Sequence, residues 1–210
     1  MYTPDTFKET NLKRLHALMR RYPFALLLTA HDGEIAATHL PFMLDAERGA
    51  HGTLLAHMAR TNPHWQLLDG QRGALVVFTG PHAYISPSWY ESPVTVPTWN
   101  YAVVHAYGRP IILRDKICVR AMLERLVAEH EARIDPPWST AQADRYVDEQ
   151  LDYIVAFEMT IERLKGKFKL NQNRSRNDQE GVVRALAGSD DPLKREVAEL
   201  MRTHLASSKK

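Results

Sequence analysis

Residues 80–108 read GPHAYISPSWYESPVTVPTWNYAVVHAYG. Tyr84, Trp89, Tyr90, Trp99, Tyr101 and Tyr107 stand among Ser, Thr, Asn and His, and Pro81, Pro87, Pro93 and Pro97 interrupt the run. A core strand is richer in Val, Ile and Leu, and a plain loop does not hold this much aromatic surface. Closely spaced prolines keep a backbone extended and reduce its entropy, so the segment reads as a shaped wall. Its last part, NYAVVHAYG, alternates Tyr101, Val103, His105 and Tyr107 with Ala102, Val104 and Ala106. That is the two-residue period of a strand, and the small face leaves room for a group lying close against it.

Working outward, the segments on either side are mostly strands. FALLLTAHDGEIAATHLPFML places two extended runs around Asp32-Gly33, a pair suited to a type I′ hairpin turn. GTLLAHMA predicts a third strand. It leads into RTNPHWQLLDG, where Asn62 can cap a short helix that has Pro63 at its first position. ALVVFTG reads as a fourth strand, of the continuous apolar kind buried on both faces. In VAFEMTIER, Val155, Phe157, Met159 and Ile161 alternate with Ala156, Glu158, Thr160 and Glu162.

Helical spacing appears at Leu12, Leu15, Leu18, Met19 and Tyr22, closed by Pro23. It recurs at Val119, Met122, Leu123, Leu126 and Val127 behind Asp115, across residues 141–152, and in a C-terminal helix over about residues 191–206 capped by Asp191. Strands joined by hairpins, with few strand–helix–strand alternations, argue for an antiparallel barrel with peripheral helices. With no repeat, low-complexity tract or linker, residues 1–210 read as one domain.

The chain has 210 residues, is 44% hydrophobic and 25% charged, and carries a net charge of +2. This composition is that of an ordinary globular protein, without the concentrated basic face of a dedicated DNA-binding domain. Cys118 is the only cysteine, so an internal disulfide framework and a cysteine-based zinc site are excluded. No secretory h-region or bilayer-length apolar run is evident, and the expected location is the cytoplasm, with no membrane partner.

Three constellations could carry function. In LAHMARTNPHW, Arg60 and the helix start at Asn62-Pro63 present donors suited to a phosphate; equally, Asn62 caps and Arg60 is a solvated surface residue. The aromatic stretch, with Ser86 and Asn100 as polar points, suits a planar heterocycle, and suits a dimer interface as well. Lys165, Lys167 and Lys169 share one face of an extended backbone and are followed by Arg174 and Arg176. Such a comb either meets phosphates or guards a sheet edge. His39, His57, His64, His82 and His105 lie on separate elements without metal-ligand spacing, so no metal site is expected. Gly-x-Ser-x-Gly, Walker A and Rossmann glycine patterns are absent from the sequence.

LAHMARTNPHW, FTGPHAYISPSWY, VPTWNYAVVHAYG and GKFKLNQN, together with MYTPDTF and THLPF, resemble the PaiB family of FMN-binding negative transcriptional regulators. The resemblance implies a mainly β fold with flanking helices: an antiparallel, six-stranded FMN-binding split barrel, assembled as a homodimer with flavin at the interface. It implies that Arg60 and Asn62 hold the FMN phosphate and that His57 faces the ribityl chain or ring. It also implies that Thr38 and His39 lie where a strand edge meets the isoalloxazine. On the same resemblance, Tyr84 and Ser86, with Trp99 and Asn100 of the second subunit, would close the ring site, and Lys169 and Gln172 are further candidates. Two departures from the family pattern are Asn171, where Ser is common, and ESPVT at residues 91–95, where a lysine is expected. The regulatory label and any DNA contact come from resemblance alone. An FMN-dependent oxidoreductase with a nicotinamide donor is the alternative, and a heme-binding split barrel with His57 or His105 as axial ligand is the third reading.

Overall fold

The computed structural model describes residues 1–207. Nine strands form an antiparallel sheet: β1 (Lys8–Glu9), β2 (Phe24–His31), β3 (Glu34–Pro41), β4 (Met43–Asp45), β5 (Thr53–Ala59), β6 (Ala74–Ile85), β7 (Thr98–Gly108), β8 (Ile111–Ile112) and β9 (Ile154–Lys169). Five helices flank it: α1 (Leu12–Arg21), α2 (Lys116–Glu131), α3 (Asp144–Gln150), α4 (Arg176–Ala187) and α5 (Pro192–Ser207). The hydrogen-bonded path runs β3-β2-β6-β7-β9-β5-β4, with β1 and β8 added to β9, and it does not close on itself. The count of six strands therefore becomes nine. The additions β1, β4 and β8 are two or three residues long, too short for a two-residue period to show in sequence. No helix among the described residues is long and apolar enough to cross a membrane.

The described residues divide into two compact units, residues 1–22, 78–105 and 165–207 in one, residues 23–77 and 106–164 in the other. Strands β6, β7 and β9 each run from one into the other.

In the second unit, β2 and β3 pair from Phe24↔Pro41 to His31↔Glu34. Asp32 and Gly33 turn the hairpin with φ of 49° and 82°, the left-handed pair that a type I′ turn requires. The other edge of β2 pairs with β6, Leu26 opposite Val77 and Thr29 opposite Ala74. Strand β6 alternates buried and less buried residues, so it is covered on one face and not on both as its apolar run suggested. It is also longer than ALVVFTG and takes in the first part of the aromatic stretch. Strand β5 pairs with β9 from Thr53↔Thr160 to Ala59↔Ile154. Helix α2, capped where Asp115 accepts from the Ile117 amide, lays Val119 and Met122 on Met43, Leu55, Leu151 and Ala156. The expected helix over 141–152 is α3 between two 3-10 turns, tied to α2 where Arg120 bonds Asp144 and Asp148.

In the first unit, Asn11 caps α1 and accepts from the Arg14 amide. Arg21 donates to Glu196 of α5 at 2.9 Å, and Tyr22 donates to the same carboxylate. Burial, reinforced by that carboxylate, pushes the Tyr22 phenol up to about 12. Helices α4 and α5 bury Val182, Val183 and Leu186 on one side and Val197, Ala198 and Met201 on the other. Gly181 is required where the loop after β6 crosses α4: a Cβ there would stand 2.2 Å from the Trp89 carbonyl oxygen.

Candidate functional site

Chain direction brings β3 and the turn after β5 together. The arginine-threonine-asparagine segment ends β5, and Asn62 caps the 3-10 turn Pro63–Leu67, accepting from the His64 amide at 3.0 Å. Pro63 suits the first position because that position has no amide partner to lose. The turn carries His64 inward, where it is 4% exposed. Its Nε2 lies 2.7 Å from Thr29 Oγ1 on β2, and its Nδ1 lies 2.7 Å from Thr38 Oγ1 on β3. Asn62 Nδ2 donates to the same Thr38 oxygen at 3.2 Å.

A neutral imidazole has one donor and one acceptor nitrogen, so one threonine gives it a proton and the other receives one. With Thr38 already accepting from Asn62, roles are used once each when Thr38 donates to Nδ1 and Nε2–H donates to Thr29. Burial lowers the His64 pKa, which keeps the ring neutral and the relay intact at neutral pH. Thr38, Asn62 and His64 line a cleft of about 410 Å³, with Ala36 and Ala37 as a small-residue wall and Pro63 and Leu67 as apolar contacts. A hydroxyl, an amide and a flat, uncrowded strand edge can orient a polar chain while a planar group lies on the wall.

Of the residues expected here, the structure brings Thr38 and Asn62 together. Their shared partner His64 is one of ten histidines in the sequence, and only the cap at Asn62 hinted at its position. His39 alternates to the other face of β3 and stacks on Phe24, ring centres 5.9 Å apart. Arg60 turns elsewhere: Nε donates to the Asp152 carbonyl at 2.7 Å and Nη2 to the Ile154 carbonyl at 2.8 Å, while its own carbonyl accepts from Trp65 Nε1. His57 sits on β5 with Nδ1 buried and without a hydrogen-bond partner, and burial lowers its pKa.

The other candidates belong to the first unit. Trp99 on β7 stands 6.1 Å from both His82 and Tyr84 of β6, edge-on to the tyrosine, and Trp99 and Tyr84 remain 53% and 44% exposed. On the same face, Lys167 lies over the Tyr101 ring at 5.3 Å, and Lys169 donates to Thr98. Burial lowers the Lys169 pKa, with Lys167 adding to the effect and Tyr101 opposing it. Of the lysine comb, Lys167 thus lies over an aromatic ring and Lys169 against the Thr98 hydroxyl. Asn100 alternates to the buried face, where its Nδ2 approaches Met201 Sδ at 3.4 Å and its Oδ1 has no partner. Ser86 caps the 3-10 turn Pro87–Trp89, and Gln172 accepts from the Leu170 amide at 2.7 Å, closing the end of β9.

One feature of this unit was not legible in the sequence. Asp178, buried in the first turn of α4, accepts from the amides of Glu91 and Ser92 and from the Ser92 hydroxyl at 2.6 Å. It straps the loop after Tyr90 to the helix, and Asn171 reinforces the strap by donating to the Tyr90 hydroxyl at 2.7 Å. These bonds, the Ser92 hydroxyl first, hold the Asp178 pKa below the usual carboxylate value.

Residues 1–163 match the family model described as "Putative FMN-binding domain". The chain is 33% identical to the protease synthase and sporulation protein PAI 2 of Bacillus subtilis, over 98% of each chain. It is also 33% identical to an uncharacterized protein of Emericella nidulans, over 87% of this chain and 89% of that one. Among solved structures, the FAD and heme binding protein of Mycobacterium smegmatis has a TM-score of 0.61 at 17% identity, covering 87% of this chain and 80% of that one. The flavocytochrome Anf3 of Azotobacter vinelandii has a TM-score of 0.58 at 12% identity, covering 83% and 75%. At such identities the likeness is one of fold. Family match, relatives and fold agree, and the chain belongs to the PaiB family of FMN-binding-domain proteins.

Proposed function

We propose that this protein is an FMN-binding flavoprotein of the PaiB type, acting as a homodimer, with its six long strands arranged as a split barrel. The observation that carries the reading is the cleft at Thr38, Asn62 and His64, in a chain whose family model is an FMN-binding domain. The residues fit the group. Asn62 keeps its second Nδ2–H for a phosphate or ribityl oxygen, Thr38 Oγ1 keeps acceptor capacity for a ribityl hydroxyl, and Ala36 and Ala37 leave β3 open to a flat ring. The unpartnered Nδ1 of His57 supports a polar group meeting β5 as well. Tyr84, Trp99 and Lys169 form an aromatic and cationic face suited to a second copy and to a planar anionic ligand. Bound FMN supplies the redox chemistry, and these side chains bind and orient it. A regulatory output rests on the resemblance to the PaiB family alone, and direct DNA contact would rest on the lysines of β9 or on Lys194, Arg195 and Arg202 of α5.

The test is an absorbance titration of the purified protein with FMN, followed by anaerobic NADPH. Saturable flavin bands, with affinity about tenfold weaker in Asn62→Ala, are expected, since one hydrogen bond to a charged or polar ligand group is worth roughly that factor. Absence of flavin binding overturns the reading. Bleaching by NADPH would assign an oxidoreductase activity, and a Soret band in place of flavin bands would assign heme.

A further inference from the structure

Arg60 points to a second cavity in its own unit, about 250 Å³ in volume, bounded by β8, the start of α2 and the first residues of β9. Arg60, Arg114 and Lys116 line it, opposed by one carboxylate, Asp152. That carboxylate is already paired with Lys116 at 2.6 Å. Arg60 spends Nε and Nη2 on the neutral carbonyls of Asp152 and Ile154, which hold the guanidinium in place without cancelling its charge. Arg114 makes no ion pair among the described residues. Two guanidiniums, one of them fixed, thus stand over the cavity in excess of its negative charge. The floor is apolar, made of the buried residues Val119, Leu151 and Val155, and Trp65 belongs to the same lining.

We propose that this cavity is a binding site for a small organic carboxylate carried on an apolar body, separate from the cleft at Thr38, Asn62 and His64. A planar guanidinium recognises a carboxylate through paired N–H donors, and an apolar floor beneath it selects a ligand with a hydrophobic remainder over a bare inorganic anion. The Trp65 indole reports on occupancy, because its Nε1–H bonds the carbonyl of Arg60 at 2.9 Å and both residues belong to the cavity lining. The site is independent of the flavin reading and stands or falls separately from it.

Benzoate is the probe, with benzamide as its neutral isostere. In the 15N-labelled full-length protein, the Trp65 indole signal, assigned by its loss in Trp65→Phe, is expected to shift saturably with benzoate. The apparent affinity should fall about tenfold for benzamide and about tenfold in Arg114→Glu, a substitution at the exposed rim that leaves the core untouched. No saturable shift, equal binding of benzamide, or unchanged affinity in Arg114→Glu would each overturn the proposal. So would displacement of benzoate by stoichiometric FMN, which would merge this cavity with the flavin site.

Discussion

In the cleft between β3 and the Pro63–Leu67 turn, His64 is buried and both of its ring nitrogens are bonded to threonine hydroxyls. On the β7 face, Trp99 and Tyr84 stay half exposed, and Lys167 and Lys169 rest on Tyr101 and Thr98. The cleft satisfies its polar atoms internally, so its geometry is set before any ligand arrives. The β7 face leaves aromatic rings and cations open, so its stability depends little on any one side chain and its use depends on what covers it. An internally bonded site costs folding energy when one member is removed, while an open face costs binding.

The sharpest way to break this contrast is His64→Leu. The apolar ring replacement strands the Thr29 hydroxyl, which is only 2% exposed, and frees Thr38 from the turn. A loss of about 2–3 kcal/mol in urea unfolding is expected, as for an unsatisfied buried group plus a lost bond. Adding Thr29→Val should return part of it by removing the stranded hydroxyl, and a double variant no more stable than the single one would show that the relay is not what fails. Wild-type stability should also decline as pH falls below the ordinary histidine value of about 6.5. The unfolded ring takes up a proton there, while the folded ring, its pKa lowered, does not.

A smaller effect is expected from Asp178→Asn, which loosens the strap on the loop after Tyr90. The folded carboxyl lies below its usual value, so its contribution is complete above about pH 4 and is lost as pH falls through the folded pKa. The urea midpoint of the variant should therefore sit below wild type at pH 7 and converge on it in acid. A gap that persisted unchanged at pH 2–3 would assign the loss to packing and not to the carboxylate.

The smallest effect belongs to the open face. Lys167→Gln removes a cation from above the Tyr101 and Tyr2 rings and should cost about 0.5 kcal/mol or less, as exposed cation–π contacts do. A loss comparable to that of His64→Leu would erase the distinction between the two regions.

Local patterning made several elements legible. Asp32-Gly33 specified its hairpin because few residue pairs tolerate two positive φ angles, and the apolar period of α1 marked its buried face at Leu15, Leu18 and Met19. Helix α4 was not read from RNDQEGVVRALA, whose polar first turns look like surface chain; its buried Asp178 is satisfied by Ser92, 86 residues away, and its buried Gln179 by the Arg174 carbonyl just before the helix. The candidate site was half legible. Thr38 and Asn62 followed from motif resemblance, but the imidazole that joins them did not, since a histidine's partners are set by which strands lie beside it.

Sequence by itself determined the strand-rich antiparallel class, the Asp32-Gly33 turn and the caps at Asn62, Asp115 and Asp191, because each follows from dihedral preference or from a two- or four-residue period. Tertiary structure alone decided where Arg60 points and what closes around His64. Arg60 is held by carbonyls 92 and 94 residues away, and His64 by hydroxyls 35 and 26 residues away. Bonds between such distant segments depend on sheet register and chain crossing, which no local preference encodes.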